Sequence, residues 1–178
     1  MKFDNPYFDL LLDFDGSNIK YLIVGGYAAI LYGANRMTSD MDIIVDLETD
    51  NLKMSLSVLG KNHFFLSHPY IKENELTPEN ILQWKKEKNM KALRFENKLH
   101  PFLMVDIILD LPEDFDFLYK NRLQKREGKY TLSFIGKKDL IKMKSKAGRL
   151  QDYQDNFSMT GEAAWLEKIK EKYSNEKK

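Results

Sequence analysis

The sequence contains no cysteine and only three histidines among its 178 residues. The lack of cysteine excludes disulfide frameworks, cysteine nucleophiles, zinc knuckles and iron–sulfur clusters, and it fits a reducing compartment. His63, His68 and His100 do not form a zinc-binding pattern, because His100 precedes a proline and the other two lie five residues apart in a loop-like stretch. These absences set aside zinc-dependent hydrolysis.

The chain also lacks an excess of charge of either sign and any long hydrophobic run. Its 28 basic and 27 acidic residues give a net charge of +1, so no whole-molecule attraction to nucleic acid or an anionic membrane is expected. The apolar runs are far shorter than the roughly 20 residues of a membrane-spanning helix. The aspartate-rich first fifteen residues have the wrong polarity for a targeting peptide. We therefore expect a soluble, cytoplasmic protein with no membrane partner.

The composition is that of an ordinary globular chain, with 43% hydrophobic and 12% aromatic residues. A chain of this length buries about 70% of its unfolded surface, which allows a core without disulfides or a structural metal. We predict a catalytic core over residues 1–136, a helical C-terminal extension packed on it over 137–173, and a frayed tail over 174–178.

Hydrophobic periodicity predicts an α/β (α+β) fold in which helices flank a small mixed sheet and the C-terminal third is helical. Thr77-Pro78 is typical of a helix start, with Thr77 as the N-cap. The predicted helices cover residues 7–14, 27–32, 51–60, 137–146 and 161–173. The predicted strands cover residues 20–24, 40–46, 64–66 and 102–111, with a hairpin across 122–135.

Three aspartates indicate a metal site. Asp40 and Asp42 lie two apart in one predicted strand, so their carboxylates project from one face about 6.6 Å apart. Such a like-charge pair is unfavourable without a cation, and a divalent metal that prefers oxygen ligands is the usual compensation. Asp106 is the charge in the middle of the most hydrophobic predicted strand, and Asp110, near the end of the same segment, is the alternative to it. We expect Asp40, Asp42 and Asp106 to hold Mg²⁺, or Mn²⁺ in its place, across two adjacent strands.

A glycine pair and several cations complement these carboxylates. Gly25 and Gly26 end a predicted strand just before a helix, where backbone N–H groups can bind a phosphate. Arg36 could clamp a phosphate or a carboxylate. Residues 137–149 contain six basic residues and one aspartate, a net charge of +5. A metal beside a phosphate cradle indicates nucleotide chemistry, although this basic window could equally be the solvated face of a helix.

These residues resemble the entry motif of the nucleotidyltransferase superfamily, in the subset with a double glycine and an Arg-x-Thr-x-Asp-x-Asp pattern. The matching positions are Val24-Gly25-Gly26-Tyr27-Ala28, Gly33, Asn35, Arg36, Thr38, Asp40 and Asp42-Ile43. The resemblance continues through Asp106, the lysine-rich segment 140–144, and Ala147, Arg149, Asp152 and Asp155. This pattern of residues is similar to that of the antitoxin-paired toxins of the abortive-infection type and of the aminoglycoside and lincosamide nucleotidyltransferases. Residues 51–100 remain unmatched, and the superfamily's commoner serine after the first glycine is absent.

The resemblance implies a magnesium-dependent transfer of a nucleoside monophosphate from an NTP to a hydroxyl, with release of pyrophosphate. Asp40 and Asp42 would hold the metal on the triphosphate, and Asp106 would complete the site and accept the hydroxyl proton. The nucleotide would contact Gly25, Gly26, Arg36, Thr38, Lys144 and Arg149. The acceptor stays open between a small molecule, a tRNA and a protein.

A second function class stays open beside the enzyme. The chain could be a non-catalytic module that binds a nucleotide or a partner, for example one half of a toxin–antitoxin pair. A homodimer or a small helical partner protein would complete its surface in either class. In the enzyme class, Asp40→Ala would abolish transfer while leaving the fold intact or stabilised, because it relieves a like-charge pair.

Overall fold

Within residues 6–176, which the computed structural model describes, seven strands form one mixed sheet with helices on both faces. The elements in chain order are α1 (Pro6–Gly16), β1 (Tyr21–Ile23), α2 (Gly25–Leu31), β2 (Met41–Val45), α3 (Thr49–Lys61), β3 (Phe64–Leu66), a 3₁₀ turn (Glu73–Glu75), α4 (Pro78–Glu87), β4 (Ala92–Asn97), β5 (Met104–Ile108), α5 (Phe115–Lys120), β6 (Leu123–Glu127), β7 (Tyr130–Phe134), α6 (Lys137–Ala147), α7 (Leu150–Thr160) and α8 (Ala163–Glu176). The predicted fold class, including the helical C-terminal third, is confirmed.

The strand order across the sheet is β3-β4-β5-β2-β1-β7-β6. The pairs β2–β5 and β1–β7 are parallel, and the other neighbouring pairs are antiparallel. β2 and β5 are neighbours although about sixty residues separate them in sequence, and this pairing brings the N-terminal aspartates beside Asp106. The β1-α2-β2 unit joins antiparallel neighbours, so α2 is not a crossover between parallel strands.

Alternating side chains give the sheet two buried faces. On the first face, residues such as Ile23, Ile43 and Ile107 pack in one hydrophobic cluster with α1, α3 and α4. On the second face, Leu22 and Ile44 pack in another cluster with α2, α5 and α6. The helices on both faces bury the central strands β1, β2 and β5. Asp42 lies on β2 and Asp106 lies on β5.

Helix caps match the sequence signals where a local signal exists. The Thr77 side chain accepts a hydrogen bond from the Asn80 backbone N–H, with Pro78 in the first helical position. Gly148 ends α6 in the left-handed conformation, which costs glycine little. The predicted hairpin is present, with β6 and β7 joined at Gly128.

Three elements escape the sequence analysis: β4, α5 and α7. β4 places only Leu93 and Phe95 in the core, too few for a clear alternation. α7 buries polar side chains, including Asp152, Asp155 and Asn156, so no apolar stripe marks it. The lysine-rich helix α6 ends at Ala147. The Arg-x-x-Asp-x-x-Asp pattern of residues 149–155 belongs to the start of α7 and not to the end of α6.

The ends of the predicted segments also shift. β2 begins at Met41, so Asp40 lies just before the strand instead of within it. α8 continues to Glu176, through part of the segment predicted to fray, and residues 177 and 178 lie outside the described residues. Among the described residues, none of the helices combines the length and apolar composition that crossing a bilayer requires. The division into a core and a C-terminal extension stays a prediction.

Candidate functional site

A cleft of about 860 Å³ opens on the second face of the sheet, between β2, β5 and β4 on one side and α6 on the other. Eight of the nine predicted site residues line it: Gly25, Arg36, Thr38, Asp40, Asp42, Asp106, Lys144 and Arg149. Gly26, the ninth, lies directly behind Thr38. Residues from both ends of the chain thus meet at one surface, and the volume is in the range of small-molecule pockets, about 300–1,000 Å³.

The three aspartates lie at the floor of this cleft. Asp42 and Asp106 are register partners in the parallel pair β2–β5, which places both side chains on the same face. Asp40, two residues before Asp42, is about one-third exposed and accepts a hydrogen bond from the Ser39 hydroxyl at 2.8 Å. Asp110 lies after the end of β5 and pairs with Lys146. The register therefore favours Asp106 over Asp110 as the third carboxylate of the cluster.

The environment of Asp42 disfavours its charged form. Burial, the negative charge of Asp106 and that of Asp40 raise the pKa of Asp42 to about 6. A hydrogen bond from the Gly26 backbone N–H and the positive charge of Lys144 act in the opposite direction. The cluster thus holds more negative charge than its own surroundings compensate, as a cation-binding site requires.

Arg94 is the residue of the site that the sequence analysis did not assign. It lies on β4 directly opposite Asp106 in the antiparallel pair β4–β5. Its Nε and Nη2 donate to the two oxygens of Asp106 at 2.9 and 2.8 Å, and Nη2 is 3.9 Å from Asp40 Oδ2. These bonds to Asp106 raise the pKa of Arg94 above its already high ordinary value. Arg94 is therefore the cation that this cluster contacts in the structure.

The glycine pair makes room for the protein's own side chains. Gly25 has a φ of +59°, and a Cβ there would lie 1.8 Å from Asp42 Oδ2. A Cβ on Gly26 would lie 2.3 Å from the hydroxyl of Thr38 and 2.9 Å from Nη2 of Arg36. Both gaps are far below normal contact distances, so each glycine is required where it stands. Binding of phosphate by this backbone stays a prediction.

Five charged residues form a chain of ion pairs along the wall of the cleft. Asp155 contacts Arg36 Nε at 3.0 Å and Lys144 Nζ at 2.6 Å. Asp152 contacts Lys144 Nζ at 3.4 Å and Arg149 Nε at 2.8 Å. Lys144 and both aspartates are almost fully buried, whereas Arg149 is largely exposed. The hydrogen bond that Arg149 donates to Asp152 raises the pKa of Arg149. Three cations against two carboxylates leave this wall with one excess positive charge.

The ion-pair chain bears on the roles that the sequence predicts for several residues. Arg36 holds a carboxylate, one of the two partners expected for it, through a single nitrogen. The +5 charge of residues 137–149 is largely compensated, because Lys142 pairs with Glu113 and Lys146 with Asp110. The basic window is thus neither a bare phosphate site nor a simple solvated helix face.

The cluster fits a divalent cation in the type of its ligands and in its charge. Asp40, Asp42 and Asp106 offer only carboxylate oxygens, the ligands that Mg²⁺ prefers. As the side chains stand, no group of three acidic or histidine side chains among residues 6–176 is arranged to hold a metal ion. Both oxygens of Asp106 accept bonds from Arg94, so a metal ion that takes up this carboxylate has to share it with the arginine or displace the arginine.

One sequence signal could have located Arg94. Positions 93–96 alternate between apolar and polar residues, a short and weak form of the pattern typical of a half-buried strand. An arginine at the polar phase of such a strand becomes a candidate partner for Asp106 only if β4 is known to pair with β5. Because that pairing is antiparallel and its register depends on the intervening turn, the sequence alone does not supply it.

Comparison with known proteins supports the fold. No protein-family model and no curated protein matches this sequence. Among solved structures, the chain is similar to the lincosamide antibiotic adenylyltransferase LnuA, determined with lincomycin bound. The TM-score is 0.56 at 11% sequence identity, and the match covers 88% of this chain and 95% of that one. At this identity the likeness establishes a nucleotidyltransferase-like fold.

Proposed function

We propose that this protein is a magnesium-dependent nucleotidyltransferase that moves a nucleoside monophosphate from an NTP to a hydroxyl group. The observation that carries the proposal is the register of Asp42 with Asp106, which joins them with Asp40 at the floor of one cleft. Carboxylates on adjacent strands, beside a wall with excess positive charge, suit a metal-bound triphosphate. The similarity in fold to an antibiotic adenylyltransferase supports the same reaction class.

In this reaction the acceptor oxygen attacks the α-phosphorus of the NTP. A bond forms between that oxygen and phosphorus, the bond from the α-phosphorus to the bridging oxygen of the β-phosphate breaks, and pyrophosphate leaves. Asp40, Asp42 and Asp106 would hold Mg²⁺, and Asp106 would also accept the hydroxyl proton. When bound, the metal ion neutralises charge on the phosphates and positions them for in-line displacement.

The basic residues bind and orient the triphosphate in this proposal. Arg149 is largely exposed at the cleft, so a phosphate can reach the side of its guanidinium that faces away from Asp152. Lys144 is held by two buried carboxylates and supplies a fixed positive charge at the wall. Arg36 and Thr38 pack on Gly26 and hold the segment that leads into Asp40.

The acceptor we favour is a small molecule that carries a hydroxyl group. The volume of the cleft suits a small ligand, and the similar solved structure contains the small molecule lincomycin. A tRNA acceptor is less well supported, because the basic residues Lys85 and Lys86 lie on α4 and Lys88 directly follows it. This helix packs on the opposite face of the sheet through Ile81 and Trp84.

Thermal melting with each of the four NTPs, with and without Mg²⁺, tests the proposal. A nucleotide at about 100 times its Kd adds roughly 2.7 kcal/mol of stability, which raises Tm by about 5–10 °C for a chain of this size. We expect such a shift for at least one NTP, only with Mg²⁺, and its loss in Asp40→Asn. The matched control is Asp46→Asn, in which the same change is made just beyond the other end of β2, outside the cleft.

The nucleotide that shifts Tm then serves as the labelled donor for a transfer assay with hydroxyl-bearing acceptors. Transfer of label that depends on Mg²⁺ and is lost in Asp40→Asn supports the enzyme. Equal shifts with and without Mg²⁺, or equal shifts in Asp40→Asn and the native protein, contradict the proposed metal site.

The alternative is a non-catalytic module that binds a nucleotide or a partner protein, such as one half of a toxin–antitoxin pair. The observation that favours it is the bidentate pairing of Arg94 with Asp106, which neutralises the third carboxylate without a metal. This module would give a Tm shift with a nucleotide, no pyrophosphate release with any acceptor, and co-purification with a partner.

A further inference from the structure

Arg94 lies where a bound cation would lie in the acidic cluster. Its guanidinium bonds both oxygens of Asp106 and reaches within 3.9 Å of Asp40. Asp42 is next to Asp106 across the β2–β5 pair. The arginine thus contacts one member of the cluster directly and approaches a second, from a strand that is next to β5 and not next to β2.

We infer that Arg94 acts as an internal substitute for the metal: it holds Asp106 in the metal-free protein and competes with a divalent cation for that carboxylate. This inference rests on the proposed function, because it takes Asp40, Asp42 and Asp106 to be the metal-binding residues. It goes beyond that function in assigning to a residue of β4 control over how tightly the metal binds.

The geometry accounts for both halves of this competition. The two parallel hydrogen bonds engage both Asp106 oxygens and hold a positive charge against them, so the arginine opposes a metal ion that binds this carboxylate. The Arg94 side chain is nearly half exposed, whereas Asp106 is mostly buried, so the arginine can swing into solvent while the aspartate stays in place. Backbone pairing of β4 with β5 holds Arg94 near the cluster after it swings away.

A comparison of Arg94 with Lys91 separates this specific contact from the general effect of positive charge. Both side chains line the same cleft. Within residues 6–176 the structure gives Lys91 no ion pair to a carboxylate, so Lys91→Gln removes one positive charge without freeing a metal ligand. Arg94→Gln removes the same charge and releases both oxygens of Asp106.

The experiment is a titration with Mn²⁺ alone, without nucleotide, in which free Mn²⁺ is measured by electron paramagnetic resonance at physiological ionic strength. We expect Arg94→Gln to bind Mn²⁺ roughly tenfold more tightly than the native protein, because no internal cation has to be displaced. Lys91→Gln should change the Kd by less than about threefold, because salt screens its longer-range charge. Arg94→Lys should fall between Arg94→Gln and the native protein, since lysine keeps the charge but cannot hold both oxygens.

The outcomes separate this inference from the proposed function. Tighter Mn²⁺ binding in Arg94→Gln, and not in Lys91→Gln, supports the competition. Binding by Arg94→Gln that is equal to or weaker than that of the native protein overturns it, while the metal site itself stands. An equal gain in both glutamine variants overturns it too, because general charge then explains the effect. If none of the proteins binds Mn²⁺ at millimolar concentration, the metal site of the proposed function fails and this inference fails with it.

Melting curves in EDTA test whether each variant is folded. Arg94→Gln should melt below the native protein in EDTA, because Asp106 loses its partner, and Mn²⁺ should raise its Tm by more than it raises that of the native protein. If Arg94→Gln is unfolded, Arg94→Lys gives the decision: a Kd for Mn²⁺ equal to or weaker than that of the native protein overturns the competition.

Discussion

Asp42→Asn should make the protein more stable, and only above about pH 4. The pKa of Asp42 is raised from 3.8 to about 6 by burial and by the charges of Asp106 and Asp40. A carboxyl with a raised pKa binds protons more readily in the folded than in the unfolded protein. Its ionised form therefore destabilises the fold, and this cost grows as the pH rises from about 4 to about 6.

The size of the effect follows from the shift. The pKa is raised by about two units, and each unit corresponds to about 1.36 kcal/mol. The destabilisation caused by ionised Asp42 therefore has an upper limit of about 3 kcal/mol at pH 8. Asparagine keeps the volume and can still accept the hydrogen bond of the Gly26 N–H, so little is lost in exchange. We expect a gain of roughly 1–3 kcal/mol at pH 8, a rise in Tm of about 3–10 °C, and no gain at pH 4.

The assay is thermal unfolding in EDTA, without nucleotide, for the native protein and the variant between pH 4 and pH 8. Asp106→Asn is the informative control, because it has the opposite expected sign: it breaks the paired hydrogen bonds of Arg94 and should lower Tm. A gain in Asp42→Asn that is the same at pH 4 and pH 8, or no gain at pH 8, would refute the reasoning. The sequence leads us to expect a stability gain from a substitution at Asp40. We expect the larger gain at Asp42, since Asp40 is more exposed.

Two further substitutions probe the surroundings of the cluster. Lys144→Met should lower the free energy of unfolding by about 3–5 kcal/mol in denaturant melts, because it leaves two buried carboxylates without their shared cation. Lys142→Met, on the exposed side of the same helix, should leave the free energy of unfolding nearly unchanged. Gly25→Ala should cost well over 1 kcal/mol and also weaken Mg²⁺-dependent nucleotide binding, because its methyl group would displace Asp42. Gly128→Ala has nearly the same φ and no neighbour within 4 Å, so a cost there of only about 1 kcal/mol, with nucleotide binding unchanged, would isolate the effect of space, and equal costs would contradict it.

The parts of the fold with a strong local signal could be predicted from the sequence. Thr77-Pro78 marks a helix start wherever it occurs, because the cap satisfies N–H groups of the same first turn. The hairpin around Gly128 likewise follows from its own turn residues. α7 could not be predicted in this way, because the partners of its buried aspartates are distant in sequence: Arg36 is 119 residues from Asp155.

The candidate site divides along the same line. Sequence alone determined its ingredients: two aspartates at strand spacing, a third in an apolar strand, and two adjacent glycines before a helix. Only the tertiary structure decided their relationships, namely the register of Asp42 with Asp106, the packing of each glycine, and the pairing of Arg94 with Asp106. Residue types and short-range spacings are properties of short stretches of the chain and can be read without knowing the fold. Which charge faces which depends on strand register and helix packing, and these are set by the burial of the whole sheet.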